Sequence, residues 1–208
     1  AAARECAGFV LEKMRDAEGR LLRTYKDGDA RLNAYLEDHA FLLEALLALY
    51  EATLEVRWFE AARDLAATTI ERFGDPERGG FFSTSSDHEE LIARRKELGD
   101  HPIPSGNSAA ALGLLRLAAL TGERELERQA EGVLRLFAQP AIQHPSSFAH
   151  LLRALDFRLS PTREVALVAP PPAAGDASDE GGDAIGLGEL AAVVRSSFRP
   201  HLVLARGP

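Results

Sequence analysis

The side chains able to do chemistry gather in three short stretches of the 208-residue chain. Tyr35-Leu36-Glu37-Asp38-His39 sets two carboxylates beside a phenol and an imidazole. Arg94-Arg95-Lys96 is a run of cations. Pro104-Ser105-Gly106-Asn107-Ser108 offers hydroxyl and amide groups around a glycine that allows close backbone approach. Carboxylates such as Glu37 and Asp38 can transfer protons or serve glycosidic chemistry. Cations can receive a carboxylate or phosphate. Polar groups at a helix start can hold a sugar hydroxyl or an anion.

Each stretch also has a plainer use. Ser105 and Asn107 are residue types that cap helices. Glu37 and Asp38 suit the positive end of a helix dipole. His39, beside an apolar helix, suits a hydrogen-bonded structural role. The cations suit a solvated strand end. Phe81 and Phe82 either stack on a sugar ring or join the core, with successive strand residues facing opposite ways.

Other chemistries lack their patterns. His144 and His150 stand six apart and His39 stands alone, with no His-Glu-x-x-His and no paired cysteines, so no metal is expected. Ser105 has no Gly-x-Ser-x-Gly frame around it. Gly186-Leu187-Gly188 is not the dinucleotide fingerprint, and no cofactor is expected. The formal net charge of −8 argues against nucleic acid or an anionic membrane as partner. No apolar run is long enough to span a bilayer. The single cysteine, Cys6, allows no internal disulfide and makes a reducing, cytoplasmic setting the default. It falls on the apolar face of a helix and is expected to be buried. There is no secretory signal, and a start at Ala1 within a helix suggests a processed or truncated product.

The elements that must position these groups are mostly helices. Residues 1–18 read as amphipathic and 20–26 as a short strand closed by Asp27-Gly28. Over 34–53, Glu37, Glu44 and Glu51 form one thin stripe at a spacing of seven, and nearly everything else from Ala40 to Tyr50 is apolar. Residues 57–73 are amphipathic, with Trp58 toward the core. Phe81 to Thr84 and Glu90 to Lys96 read as the two strands of a β-hairpin arm. Residues 108–120 are almost wholly apolar, with Arg116 the only charge, so that helix must be buried all round. Residues 123–138 are amphipathic up to Gln139-Pro140, and a largely apolar helix runs from 144–147 to Leu159. Amphipathic and buried helices alternate, which fits hairpins stacked with inner and outer members. The inner N-termini then share one end. The expected class is mainly α: a partial toroid of helical hairpins over 1–162, with a β-hairpin arm. A small βαβ appendage follows over 163–208, formed by strand 165–168, helix 187–198 and strand 201–204. Its Pro-, Gly- and acid-rich stretch within 169–184 reads as a mobile loop.

The strings Ala34-Tyr35-Leu36-Glu37-Asp38-His39-Ala40-Phe41-Leu42, Gly79-Gly80-Phe81-Phe82, Arg95-Lys96 and Pro104-Ser105-Gly106-Asn107-Ser108 together carry a resemblance. In order and spacing the chain resembles the C-terminal part of the thioredoxin-domain-containing proteins related to spermatogenesis-associated protein 20. The resemblance implies an (α/α)6 toroid similar to N-acylglucosamine 2-epimerases and six-hairpin glycosidases, hence sugar-active ancestry. It centres on Asp38, making that residue the candidate acid or base. Tyr35, Glu37, Arg95, Lys96, Ser105 and Asn107 become the candidate substrate-binding residues at the open end. The Cys-x-x-Cys of the thioredoxin-like domain is missing, so redox chemistry does not carry over. About half of the six hairpins are present. The expected partners are therefore a sugar ligand and the rest of the toroid, the thioredoxin-like domain or another chain. The alternative is a non-catalytic scaffold, whose polar loop residues would be satisfied internally.

Overall fold

A computed structural model describes residues 1–87, 93–97, 99–168 and 182–207. The order is α1 (Ala2–Lys13), β1 (Leu22–Lys26), β2 (Asp29–Asn33), α2 (Leu36–Thr53), α3 (Val56–Phe73), α4 (Gly106–Thr121), α5 (Arg124–Gln143), a short 3-10 turn (Pro145–Phe148), α6 (Ala149–Leu159), β3 (Arg163–Leu167), α7 (Gly182–Arg195) and β4 (Leu202–Arg206). The molecule is mainly helical, with two small sheets among the described residues. No helix among them is long and apolar enough to cross a membrane.

The centre is α4. Every residue from Gly106 to Leu115 is buried. An apolar helix with no polar face has to be enclosed, and α2, α5 and α6 enclose it. α2 and α4 run parallel and close together. A Cβ at Gly106 would lie 2.9 Å from Leu36 Cγ, and one at Gly113 would lie 2.9 Å from Leu43 Cδ2. Both contacts pair residues 70 apart, so the two helices stay in register over two turns. The amphipathic α3 and α5 lie outside and supply Trp58, Leu65, Phe73, Val133 and Phe137 to the same core.

Asp100 joins the N-termini of α4 and α6. Its Oδ1 accepts the Ser105 N–H at 2.9 Å and its Oδ2 accepts the His150 N–H at 2.7 Å. With Gly106 against Leu36, the three apolar helices therefore begin at one end of the molecule, as the alternation of helix types predicts.

The glutamate stripe of α2 is spent on polar contacts along its length. Glu37 meets Arg23 from β1 at 2.8 Å, Glu44 meets His150 from α6 at 2.6 Å, and Glu51 meets Arg116 from α4 at 2.9 Å. Burial pushes the Glu51 carboxyl up, with Arg116 opposing the shift.

At the far end of α2 the C-terminal unit docks. β3 and β4 pair in parallel with α7 between them in sequence, which is the expected βαβ unit. The Arg206 N–H donates to Tyr50 Oη at 3.0 Å, Arg195 Nε donates to the Glu51 carbonyl at 3.0 Å, and Val203 enters the main core. The segment expected as a loop, 169–184, lies largely outside the described residues.

Several expectations need correction. The regular hairpin is β1–β2, antiparallel from Leu22↔Asn33 to Lys26↔Asp29, and not Phe81 to Lys96. Phe81 instead bridges Gly74 at the end of α3, and the Phe82 N–H donates to the Phe73 carbonyl at 2.8 Å. The cause is the turn at Asp75 to Gly80. The Asp75 N–H donates to the Gly80 carbonyl, and Gly79 and Gly80 take φ of 73° and 72°, folding the chain back onto α3. Of the expected return strand, residues 90–92 lie outside the described residues, and Arg95 keeps one bond, accepting the Ser83 N–H at 2.7 Å.

α5 does not stop at Gln139 but continues through Pro140 to Gln143. Proline in a last turn forfeits one intrahelical bond, and Phe137 and Ala141 anchor the turn in the core. Cys6 is exposed, because α1 buries none of its residues fully and touches the core only through Ala7 and Leu11.

Candidate functional site

The N-terminal ends of α2 and α4 and the segment 93–97 surround a cleft of about 780 Å³. Tyr35, Leu36 and Glu37 form one wall, Ser83 and Thr84 a second, and Ala93 with Arg95 to Glu97 a third, while Gly106 closes the floor. Four of the predicted residues therefore come together: Tyr35, Glu37, Arg95 and Lys96.

The walls are held by specific bonds. The Leu36 N–H donates to the Ser83 carbonyl at 3.0 Å, tying α2 to the second wall. Lys96 Nζ donates to Asp75 Oδ2 at 2.7 Å and to the Gly79 carbonyl at 2.5 Å. Arg94 donates to the Thr84 and Arg72 carbonyls, and its guanidinium lies 4.2 Å from the centre of the Phe82 ring. Phe82 thus stacks under the two cations, Lys96 being 5.0 Å away, while Phe81 is fully buried.

Lys96, together with the Glu77 and Arg78 N–H groups, holds the Asp75 carboxyl at about 2, below the 3.8 of a free aspartate. A depressed carboxyl stabilises the fold above the unfolded pKa, and that contribution is lost as pH falls from about 4 to about 2. Asp75→Asn is therefore expected to lower Tm at neutral pH. The gap between variant and parent should close as pH falls through that window, as thermal unfolding against pH will register.

The remaining predicted residues sit behind the cleft. Asp38 Oδ2 accepts the Tyr35 N–H at 2.8 Å and Arg23 Nη1 at 3.1 Å. Ser105 is the N-cap of α4; its Oγ accepts the Ser108 N–H at 3.1 Å. Asn107 is fully buried and clamps the backbone of Phe81, accepting its N–H at 2.8 Å and donating to its carbonyl at 2.9 Å. His39 bonds the Tyr35 carbonyl through Nδ1 at 3.0 Å and packs on Phe73, and burial lowers its pKa below 6.5.

Sequence reasoning missed Arg23, Thr84 and Glu97 as parts of the site. Arg23 spans Glu37 and Asp38 and lies 4.6 Å from the centre of the Tyr35 ring, and it reaches them only because the β1–β2 hairpin folds over the start of α2. The legible signal was Asp27-Gly28, a strong hairpin turn pair. The described residues contain no group of three or more His, Cys, Asp or Glu able to hold a metal.

Parallel buried helices, an outer amphipathic layer and a cleft at the shared N-terminal end define a layered helical protein with a pocket at one pole. Its sequence relatives are specific. The chain is similar to part of spermatogenesis-associated protein 20. It is 32% identical to the mouse protein over 177 residues, 80% of this chain and 22% of that protein. Against the human protein it is 32% identical over 171 residues, covering 77% and 22%. An uncharacterized protein of Caenorhabditis elegans is 28% identical over 141 residues, covering 64% and 19%. The chain thus spans about a fifth of the length of the curated relatives it matches. No protein-family model matches it.

Proposed function

We propose that this chain forms part of an (α/α)6-type toroid and that the cleft at the shared N-terminal end of its inner helices binds a carbohydrate. The observation that carries the reading is the cleft itself. A pocket of about 780 Å³ at the common N-terminal end of parallel inner helices is lined by Tyr35, Glu37 and Arg95. An aromatic, a carboxylate and a guanidinium around an open pocket supply the face and the hydrogen bonds that a sugar ring uses. Inner parallel helices with outer amphipathic partners are the repeating unit of such a ring. The rest of the ring, a thioredoxin-like domain or another chain are the partners of this proposal, and a reducing cytoplasm is its setting.

In this reading Asp38 orders the rim, since it holds both the Tyr35 backbone and Arg23. Acid or base work by Asp38, of the epimerase or glycosidase kind, requires a ligand to draw Arg23 away. Ser105 and Asn107 support the cleft from behind.

One observation favours a second reading, a non-catalytic scaffold that docks a protein partner. Asp38, Ser105 and Asn107 are all satisfied internally. Titration calorimetry with glucose, mannose, N-acetylglucosamine, N-acetylmannosamine and cellobiose separates the two. Saturable binding of at least one sugar, weakened at least about tenfold by Glu37→Gln, supports the cleft. Absence of binding across the panel overturns the carbohydrate reading and leaves the scaffold.

A further inference from the structure

Along segment 93–97 exposure alternates: the odd residues are exposed and the even ones half-buried. Its even residues are consumed as anchors. Arg94 is bonded to the Thr84 and Arg72 carbonyls, and Lys96 to Asp75 and the Gly79 carbonyl. Its odd residues, Ala93, Arg95 and Glu97, are exposed and line the cleft. The Arg95 backbone is fixed by the bond from the Ser83 N–H at 2.7 Å, which sets the direction of its side chain.

The charges of the cleft are unevenly paired. Glu37 is paired with Arg23, and Lys96 with Asp75. Arg95 and Glu97 have no ion pair among the described residues. A guanidinium with five donors in a planar fork is matched by a carboxylate or a phosphate, and a carboxylate two residues along accepts from hydroxyl groups. Two residues apart along the chain, their Cα atoms lie at most about 7 Å from one another, within the reach of one hexose ring.

Building on the carbohydrate reading, we infer that the ligand of this cleft is an acidic sugar whose carboxylate or phosphate is held by Arg95 and whose hydroxyl groups meet Glu97. The two sources of negative charge share this chemistry, and the test separates them.

Calorimetry with the full chain would use glucuronate, glucose 6-phosphate, glucose and inorganic phosphate, at about 20 mM and about 150 mM salt. At least one acidic sugar is expected to bind at least about tenfold more tightly than glucose, with the preference shrinking at the higher salt. Arg95→Gln should weaken the acidic sugar at least about tenfold more than it weakens glucose, and so abolish the preference. Arg95→Lys should keep part of it, and Glu97→Gln should weaken every sugar alike. Arg128→Gln, an exposed cation paired with Glu125 on α5, controls for net charge and should bind as the parent does. All of these side chains are exposed, so thermal unfolding should show each variant folded.

Equal binding of glucose and both acids, unchanged by Arg95→Gln, would overturn the inference and leave the carbohydrate cleft standing. No binding by any sugar would overturn both. Phosphate binding as tightly as glucose 6-phosphate would mark a bare anion site and overturn the assignment to a sugar.

Discussion

Asn107→Ala is expected to lower the unfolding free energy by about 2–5 kcal/mol, measured by urea denaturation. Asn107 is fully buried, and its amide satisfies both backbone groups of Phe81, itself fully buried. Truncation orphans one buried N–H and one buried C=O, each costing about 1–3 kcal/mol. A cavity adds to the cost. Asn107→Asp tests the mechanism, because a carboxylate accepts from the Phe81 N–H but repels the Phe81 carbonyl. It should destabilise nearly as much as alanine at neutral pH, and less at low pH, where the protonated acid donates again. A change below about 0.5 kcal/mol for both variants would mean that the clamp does not hold the second cleft wall to α4.

Gly106→Ala is expected to cost about 1–3 kcal/mol, although alanine is the better helix former. The added Cβ lies 2.9 Å from Leu36 Cγ and 3.0 Å from the Glu37 backbone nitrogen. Backbone cannot rotate aside, so α2 and α4 must separate where they floor the cleft. Gly113→Ala provides the contrast. The three atoms nearest its Cβ are all side-chain atoms: Leu43 Cδ2 at 2.9 Å, Leu43 Cγ at 3.0 Å and Glu44 Cγ at 3.7 Å. A small rotamer shift, with about 1 kcal/mol gained in helix propensity, should keep that variant within about 1 kcal/mol of the parent. Equal effects at the two positions would contradict the close parallel packing at the helix starts.

The helices were legible because their chemistry is periodic. Ala109 to Leu115 offers no polar face, and burial on every side is the one way to accommodate it. The glutamates at 37, 44 and 51 announced a stripe, but not its partners, since Arg23, His150 and Arg116 come from three different elements. The β1–β2 hairpin was half legible. Asp27-Gly28 signals its turn, with both residues at positive φ, 54° and 87°. Its second strand, Asp-Ala-Arg-Leu-Asn, is too exposed to show an apolar alternation. Phe81-Phe82 has strand composition, yet local turn chemistry at Asp75 to Gly80 pairs it with the end of α3. Four of the seven candidate residues line the cleft because their backbone places them at helix starts or on segment 93–97. Asp38 and Ser105 share those loops, but their short side chains bond the adjacent backbone, and Asn107, in the first turn of α4, reaches across to the backbone of Phe81.

The cleft at the pole of the inner helices, used as a sugar site, is tested most directly by amide chemical-shift titration of the folded chain with glucuronate and with N-acetylglucosamine. Saturable shifts concentrated at Glu37, Ser83, Arg95 and Gly106, and lost with Glu37→Gln, are the predicted result. Shifts centred instead at the opposite pole, around Gly122, Arg124 and Thr162, or no saturable shift with either sugar, would contradict it.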